Sequence, residues 1–512
     1  MHVSDEPNTG PVQAVAIVGA ALRFPGAADP PSFHNLSVTG QRMFRELARA
    51  DDGEETGRGG HAGPPAPRPS PLAALLDEEI PSAGDPADGL TPRHTLAAET
   101  AAAALADVPS AGRAVAPGRI GVFIADTPEP GTTAVRDWVH WQLGLLMPGD
   151  AGTAAAGRPD VLVSGNGMAE VAGAGWEDPV IGSGGAVHRG HGAAVTGAAS
   201  VTGTAALTGA ALTGAAARTG TAARNGALTG DMRCSLRAVA AACEALNSGQ
   251  FDLVLAGGVA TGTDSWTRGT GVPAGGTRPA EWVRVYDTRP TGTLPGEGCG
   301  VVALTRAADA RAVEVPAYAE IVGWCYGGAV VPQRPLLAEA YLRAGVDPAD
   351  IQFVEGHGAA TAMEDLAELS ALLELLGGQV DGDGHCPLGS VSANIGDTRA
   401  AAGVAALLKT AFAMTADVIP PSTGCIRPNR LLRRTGAPLR LLSAPEQWPQ
   451  TPVQLAAVNT LGTAPHPDAP RSGPVHVILR RERDRAHRPG RHRKPALLTA
   501  GPAIDIPRQA RP

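Results

Sequence analysis

Lysine is nearly absent. Of the 42 basic side chains in 512 residues only Lys409 and Lys494 are lysines, and the remaining 40 are arginines. Aromatic residues are also few, at 4%. Both features accompany an excess of alanine, glycine and proline, as expected of a GC-rich coding bias. No run of 18 apolar residues occurs, so no membrane-spanning helix is expected. Met1–Pro11 has no basic segment followed by an apolar one, so no secretory signal is read there, and a cytoplasmic chain is the expectation. The six cysteines contain no CxxC pair and are expected to be reduced and mostly packed in the interior. The net charge of −8 argues against a nucleic-acid binder.

What is present is a 43% hydrophobic fraction, enough for a sizeable core. At about 150 residues per domain the length allows three domains or one large two-lobed unit. AVAIVG (14–19), IGVFIA (120–125), DLVLA (252–256) and the apolar stretches at 298–304, 318–322, 351–355, 388–391, 454–458 and 475–479 read as buried strands. Between them, 91–105, 235–246, 335–344, 366–376 and 400–414 read as helices, the first opened by Thr91-Pro92. Strands alternate with helices, so the class is α/β. Residues 148–230 are dominated by Gly, Ala and Thr, with Thr-Gly recurring at 196, 202, 208, 213, 219 and 229. A β-solenoid would need regular bulky positions, and a low-complexity insert fits this composition better. The basic stretch 480–494 reads as a solvated tail or a docking segment for an acidic partner.

Several blocks resemble the β-ketoacyl synthases of modular polyketide synthases, in the family's order: AVAIVGAALRFPGAADPPSFHNL (14–36), DLVLAGGV (252–259), VYDTRPTGTLPGEGCGVVAL (285–304), AGVDPADIQFVEGHG (344–358), GSVSANIGDTRAAAGVAALLK (389–409) and VIPPSTGCIRPN (418–429). The resemblance implies a thiolase-like fold of two similar halves in an α-β-α-β-α layering, with 14–305 and 306–480 as the halves and 1–13 and 481–512 as tails. It also implies an acyl-transfer reaction with substrates on the phosphopantetheine of an acyl carrier protein, no other cofactor, no metal, and a homodimer or a heterodimer with another ketosynthase. Nothing after residue 480 resembles a carrier, so the carrier is expected to act in trans.

The resemblance also assigns site positions. LTGDMRC (228–234) resembles the run before the family's nucleophile and points to Cys234. A thiol at a strand-to-helix turn would feel the helix N-terminus, which favours attack on a thioester. The serines that follow the nucleophile in the family are reduced here to Ser235, and counting back from the helix without a gap selects Met232 instead. His357, between two glycines in VEGHG, stands where the first catalytic histidine belongs. Asp365 and Glu368 match acidic positions expected to be structural. Asp397 occupies the second histidine position, Ser392 the lysine position, and Lys409 matches a different, helical lysine. An ionised carboxylate cannot donate a hydrogen bond to a developing enolate, so decarboxylative condensation is expected to be absent or very slow. Thr463-Ala464-Pro465 interrupts the glycine-rich turn begun by Val458-Asn459-Thr460-Leu461-Gly462, and proline removes a backbone donor there. About nine residues of the family's loop are missing between Gly327 and Gln333. Three readings stay open: a working acyltransferase, a non-catalytic subunit of the chain-length-factor type, and an enzyme repurposed for acyl transfer or cyclisation without decarboxylation.

Overall fold

The computed structural model describes residues 12–46, 72–77, 91–126, 135–136, 139, 143, 234–261, 283–328, 333–377, 386–461 and 472–483. The Gly/Ala/Thr-rich insert, Met232, the altered turn at 463–465 and the basic tail beyond 483 lie outside these residues.

The strands, in chain order, are β1 (Val15–Arg23), β2 (Arg45–Glu46), β3 (Leu72–Ala73), β4 (Ile120–Ala125), β5 (Leu253–Ala260), β6 (Gly298–Arg306), β7 (Glu320–Gly328), β8 (Phe353–Glu355), β9 (Cys386–Gly389), β10 (Val418–Ile419), β11 (Leu439–Arg440), β12 (Glu446–Gln447), β13 (Val453–Thr460) and β14 (Ser472–Glu482). The helices are α1 (Pro30–Thr39), α2 (Pro92–Asp107), α3 (Ser235–Asn247), α4 (Ala307–Ala312), α5 (Gln333–Ala344), α6 (Ala362–Leu376), α7 (Ser392–Ile395) and α8 (Ala402–Ala416). Each long strand and helix expected from hydrophobic pattern is present. The helix α1 is an addition. Asp29 caps it, accepting from the Ser32 amide at 2.8 Å, and two prolines fill its first turn.

Ten strands form one mixed sheet in the order β11-β9-β8-β13-β14-β7-β1-β6-β5-β4. Two halves repeat one pattern within it. In the first, β4 is parallel to β5, which is antiparallel to β6, which is antiparallel to β1. In the second, β8 is parallel to β13, antiparallel in turn to β14, and β14 antiparallel to β7. The halves meet at a short seam where Val15 and Ala16 of β1 register with Ile321 and Glu320 of β7. The irregularity in β1 between Ile17 and Gly19 ends this seam. Past it, the carboxylate of Asp107 accepts the Ala20 amide at 3.0 Å and the Tyr318 hydroxyl at 2.6 Å.

Side chains of β1 alternate between two apolar layers. Val15, Ile17, Ala20 and Leu22 join a cluster with α3 and α8, whereas Ala16, Val18 and Ala21 face α2. The cluster around α3 and α8 takes in strands from both halves, including Val254, Ile321, Ala456 and Val477. Helix α8 is buried almost along its whole length. All six cysteines are free, and four of them are buried. No helix among the described residues is long and apolar enough to cross a membrane.

Candidate active site

The start of α3 carries the candidate nucleophile. Cys234 has extended backbone (φ −129°, ψ 118°), and its carbonyl accepts from the Arg237 and Ala238 amides at 3.1 and 3.2 Å, so it occupies the N-cap. The first-turn amides of α3 therefore point toward the thiol's surroundings, as an approaching anion requires. Its side chain is buried, 4% exposed, with Sγ 3.6 Å from Oγ1 of Thr460. The next residue fixes the helix: Oγ of Ser235 accepts the Val404 amide at 2.8 Å and so ties α3 to the first turn of α8. A side chain at Gly403 would strike the Leu236 backbone, so glycine permits this close approach. Cys243, one face further along α3, is fully buried, and burial pushes its thiol well up, consistent with packing rather than chemistry.

The end of β8 carries His357, and its peptide unit is held on both sides. Its amide donates to Oε1 of Glu368 at 2.7 Å, and its carbonyl accepts from Oγ of Ser390 at 2.8 Å and Oγ of Ser392 at 3.1 Å. Glu368 is buried on α6 and has four donors. Besides His357, it accepts from the Gly358 amide at 3.1 Å, the Tyr286 hydroxyl at 2.9 Å and Nδ2 of Asn459 at 2.6 Å. Such a carboxylate is fully satisfied without a cation. The flanking glycines are required by space and conformation. A Cβ on Gly356 would collide with the Tyr286 hydroxyl, and Gly358 has φ +60° with Ser390 against it. One turn earlier on α6, Asp365 accepts the amides of Tyr286 at 2.8 Å and Ala360 at 3.0 Å. Burial nevertheless pushes its carboxyl up to about 7.

Asn459 orients a buried histidine, His476. Its Nδ2 faces a carboxylate that can only accept, so Oδ1 faces Nδ1 of His476 at 3.3 Å, and Nδ1 bears the proton. Burial lowers His476 to about 3, which keeps it neutral. Asn459 and Thr460 are neighbours on β13, one reaching Glu368 and the other Cys234. The strand therefore links the thiol to the anchor of the His357 loop. Tyr286 lies in the family block 285–304 and Asn459 and Thr460 in the run that begins the glycine-rich turn, but no motif signalled the contacts these three make.

Asp397 is half-buried between the halves. Its amide donates to the Leu294 carbonyl at 2.8 Å, its carbonyl accepts from Gly296 at 3.0 Å, and Oδ1 accepts the Arg399 amide at 2.8 Å. Its carboxylate thus acts as an acceptor in a tight turn before α8. Arg399 has φ +48°, and burial lowers its pKa while the Asp397 charge opposes that shift. Lys409 cannot replace the lysine missing at Ser392. It is 2% exposed and pairs with Glu355, Nζ to Oε2 at 2.9 Å. Burial pushes the Glu355 carboxyl up and the Lys409 ammonium counters it. Among the described residues no group of three His, Cys, Asp or Glu side chains could hold a metal.

The β-ketoacyl synthase N-terminal domain model matches residues 12–139 and 150–310, and the C-terminal domain model matches residues 329–425. The polyketide synthase GfsA of Streptomyces halstedii is 32% identical over 294 residues, covering 54% of this chain and 4% of that protein. The phthioceranic/hydroxyphthioceranic acid synthase of Mycobacterium tuberculosis is 36% identical over 206 residues, 38% of this chain and 10% of its own length. The chain thus spans a small fraction of these curated relatives. Among solved structures, the module 6 ketosynthase of the Bacillus subtilis bacillaene synthase superposes with a TM-score of 0.63 at 19% identity, covering 92% of this chain and 72% of its own. An oxazolomycin ketosynthase domain from Streptomyces albus superposes with a TM-score of 0.57 at 21% identity, covering 94% and 98%. These two likenesses show the fold.

Proposed function

Because the chain belongs to the β-ketoacyl synthase family, we propose that it is a ketosynthase-like acyltransferase of polyketide or fatty-acid-like biosynthesis that accepts acyl groups on Cys234 and has lost efficient decarboxylative condensation. The observation that carries this reading is the thiol at the start of α3, 3.6 Å from a residue of the strand that anchors the His357 loop. In the transfer, the Cys234 sulfur attacks the thioester carbonyl, a carbon–sulfur bond forms, and the pantetheine thiol leaves with the proton that Cys234 gives up. His357 takes the part of acid or base. The reaction draws on no cofactor beyond the carrier's phosphopantetheine, and the carrier acts in trans on a homodimer or on a heterodimer with another ketosynthase.

Condensation is a different demand. It requires donors to a developing enolate and tolerance of a malonyl carboxylate. Asp397 supplies an acceptor and a repelling charge in their place, and Ser392 donates to a backbone carbonyl rather than bringing a cation. These same losses favour a second reading, a non-catalytic subunit that pairs with an active synthase.

Incubation with an acyl N-acetylcysteamine thioester, followed by mass spectrometry, separates the two. Acyl mass on the wild type that disappears in Cys234→Ala supports acyl transfer. Absence of the acyl mass on the wild type selects the non-catalytic subunit. Malonyl-thioester decarboxylation is expected to be undetectable in the wild type and measurable in Asp397→His; a wild type that decarboxylates readily would overturn the argument from Asp397.

A further inference from the structure

We infer that Arg237 reads a carboxylate at the far end of the acyl chain held by Cys234, so that the acyl groups this site takes are short dicarboxylic ones. The inference rests on the proposed acyl transfer and names a substrate class for the same site. Helix α3 is apolar and interior, and every residue from Ser235 to Leu246 is buried except Arg237 and Glu244. These two lie two turns apart on one face. Charge at these positions alone, in a helix otherwise packed on all sides, marks a polar seam that begins one turn after the thiol. Arg237, Glu244 and the residue that joins them, Tyr326, all fall outside the sequence blocks that resemble the family.

Tyr326 of β7 fills the seam. Its hydroxyl donates to Oε1 and Oε2 of Glu244 at 3.1 and 3.0 Å, and the Arg237 guanidinium lies 4.6 Å from the centre of its ring. Burial pushes the Tyr326 hydroxyl up to about 12, and the Glu244 charge adds to the shift, so the hydroxyl remains a donor. The ring is thus anchored through its hydroxyl, and its face holds the guanidinium in place. Among the described residues that guanidinium has no ion pair, and its one hydrogen bond, Nη1 to the Gly327 carbonyl, is long at 3.5 Å. A guanidinium presents five N–H donors in a planar fork, of which a carboxylate takes two at once.

The sheet places this guanidinium beside the thiol. Thr460, against Cys234, registers with Val475, and Val475 registers with Tyr326, so the three form one row across β13, β14 and β7. Two strand spacings, roughly 10 Å, therefore separate the strand under the thiol from the strand under Arg237. Both strands end on this side, β13 at Thr460 and β7 at Gly328. The Arg237 amide donates to the Cys234 carbonyl at 3.1 Å, and helical side chains lean back toward the helix start, here toward the thiol. A neutral acyl chain seated there would exclude water and leave guanidinium donors unmet, whereas a terminal carboxylate meets them. A malonyl group holds its carboxylate next to the thioester carbonyl, where Asp397 repels it; succinyl and glutaryl chains carry theirs farther along.

The probes are succinyl and butyryl amide analogues of the N-acetylcysteamine thioesters, in which nitrogen replaces the transferable sulfur. They are titrated by NMR into the wild type, Arg237→Gln and Arg237→Lys. The two acyl chains are equal in length and differ only in the terminal carboxylate. The wild type is expected to bind the succinyl analogue at least about tenfold tighter, as one charge-assisted contact supplies, with the preference narrowing at high salt. Arg237→Gln should bring the two affinities together. Arg237→Lys keeps the charge without the planar fork and should retain part of the preference, which covers the case in which loss of the charge disturbs folding. A guanidinium that only packs on Tyr326 would leave the wild type without a preference; that result, or a preference undiminished in Arg237→Gln, overturns the inference. The thioesters themselves test the acyl transfer separately. If neither acylates the wild type while the analogue preference stands, the acyl-transfer reading fails and the carboxylate subsite holds.

Discussion

The two halves of the sheet share one ladder pattern yet treat their reactive residues in opposite ways. In the first half, α3 leads into β5 and begins at Cys234, whose thiol has one weak polar neighbour among the described residues, Thr460. In the second half, β8 ends at His357, whose peptide group is gripped by a carboxylate and two hydroxyls. A nucleophile must be free to change partners, whereas an acid or base must be aimed. The repeated frame meets both needs by varying only what its loops bond to. In the second half the turn that leads into α8 carries Asp397 and Arg399, and there the polar groups close on themselves.

Breaking the second half should therefore cost more than breaking the first. The largest effect is expected for Lys409→Met, which leaves Glu355 buried and uncompensated, about 3–5 kcal/mol by urea unfolding. A loss under about 1 kcal/mol would mean the pair is solvated. Glu368→Gln comes next, at roughly 1–3 kcal/mol, because an amide meets donors that a carboxylate satisfied. The same variant should shift the His357 backbone amide resonance, and an unmoved resonance would detach Glu368 from the loop.

Asp365 gives a pH signature confined to the second half. Its folded-state carboxyl, near 7, lies above the ordinary value of about 3.9. Its stabilising contribution is thus present below about pH 4 and lost as pH rises through 7. Replacement by Asn should flatten stability between those pH values, where one proton accounts for at most about 1.4 kcal/mol per pH unit. An unchanged pH profile would place the titration elsewhere. Cys234→Ala should be the mildest, ~0.5 kcal/mol or less, since neither residue is a strong helix cap. A melting temperature that fell as far as for Glu368→Gln would show that the thiol is a structural element after all.

The fold was legible from the sequence wherever burial wrote itself as short apolar runs, as in Val15–Arg23 and Leu253–Ala260. His357, Glu368 and Asp397 were legible because their motifs are local. Helix α1 had a signal in Asp29-Pro30-Pro31, but its weakly apolar face gave no periodicity to accompany it. The bonds from Tyr286 and Asn459 to Glu368 span 82 and 91 residues, and no local pattern encodes such pairings.

The carboxylate of Asp107 has one further consequence. Where β1 leaves β7, this single side chain at the end of α2 takes the Ala20 amide and the Tyr318 hydroxyl together. It behaves as the end stop of a zipper. While it holds both groups, the junction of the halves has a fixed length, and with it the spacing of everything mounted on either side. The stop is set by an aspartate of α2, a helix that carries neither the thiol nor the imidazole.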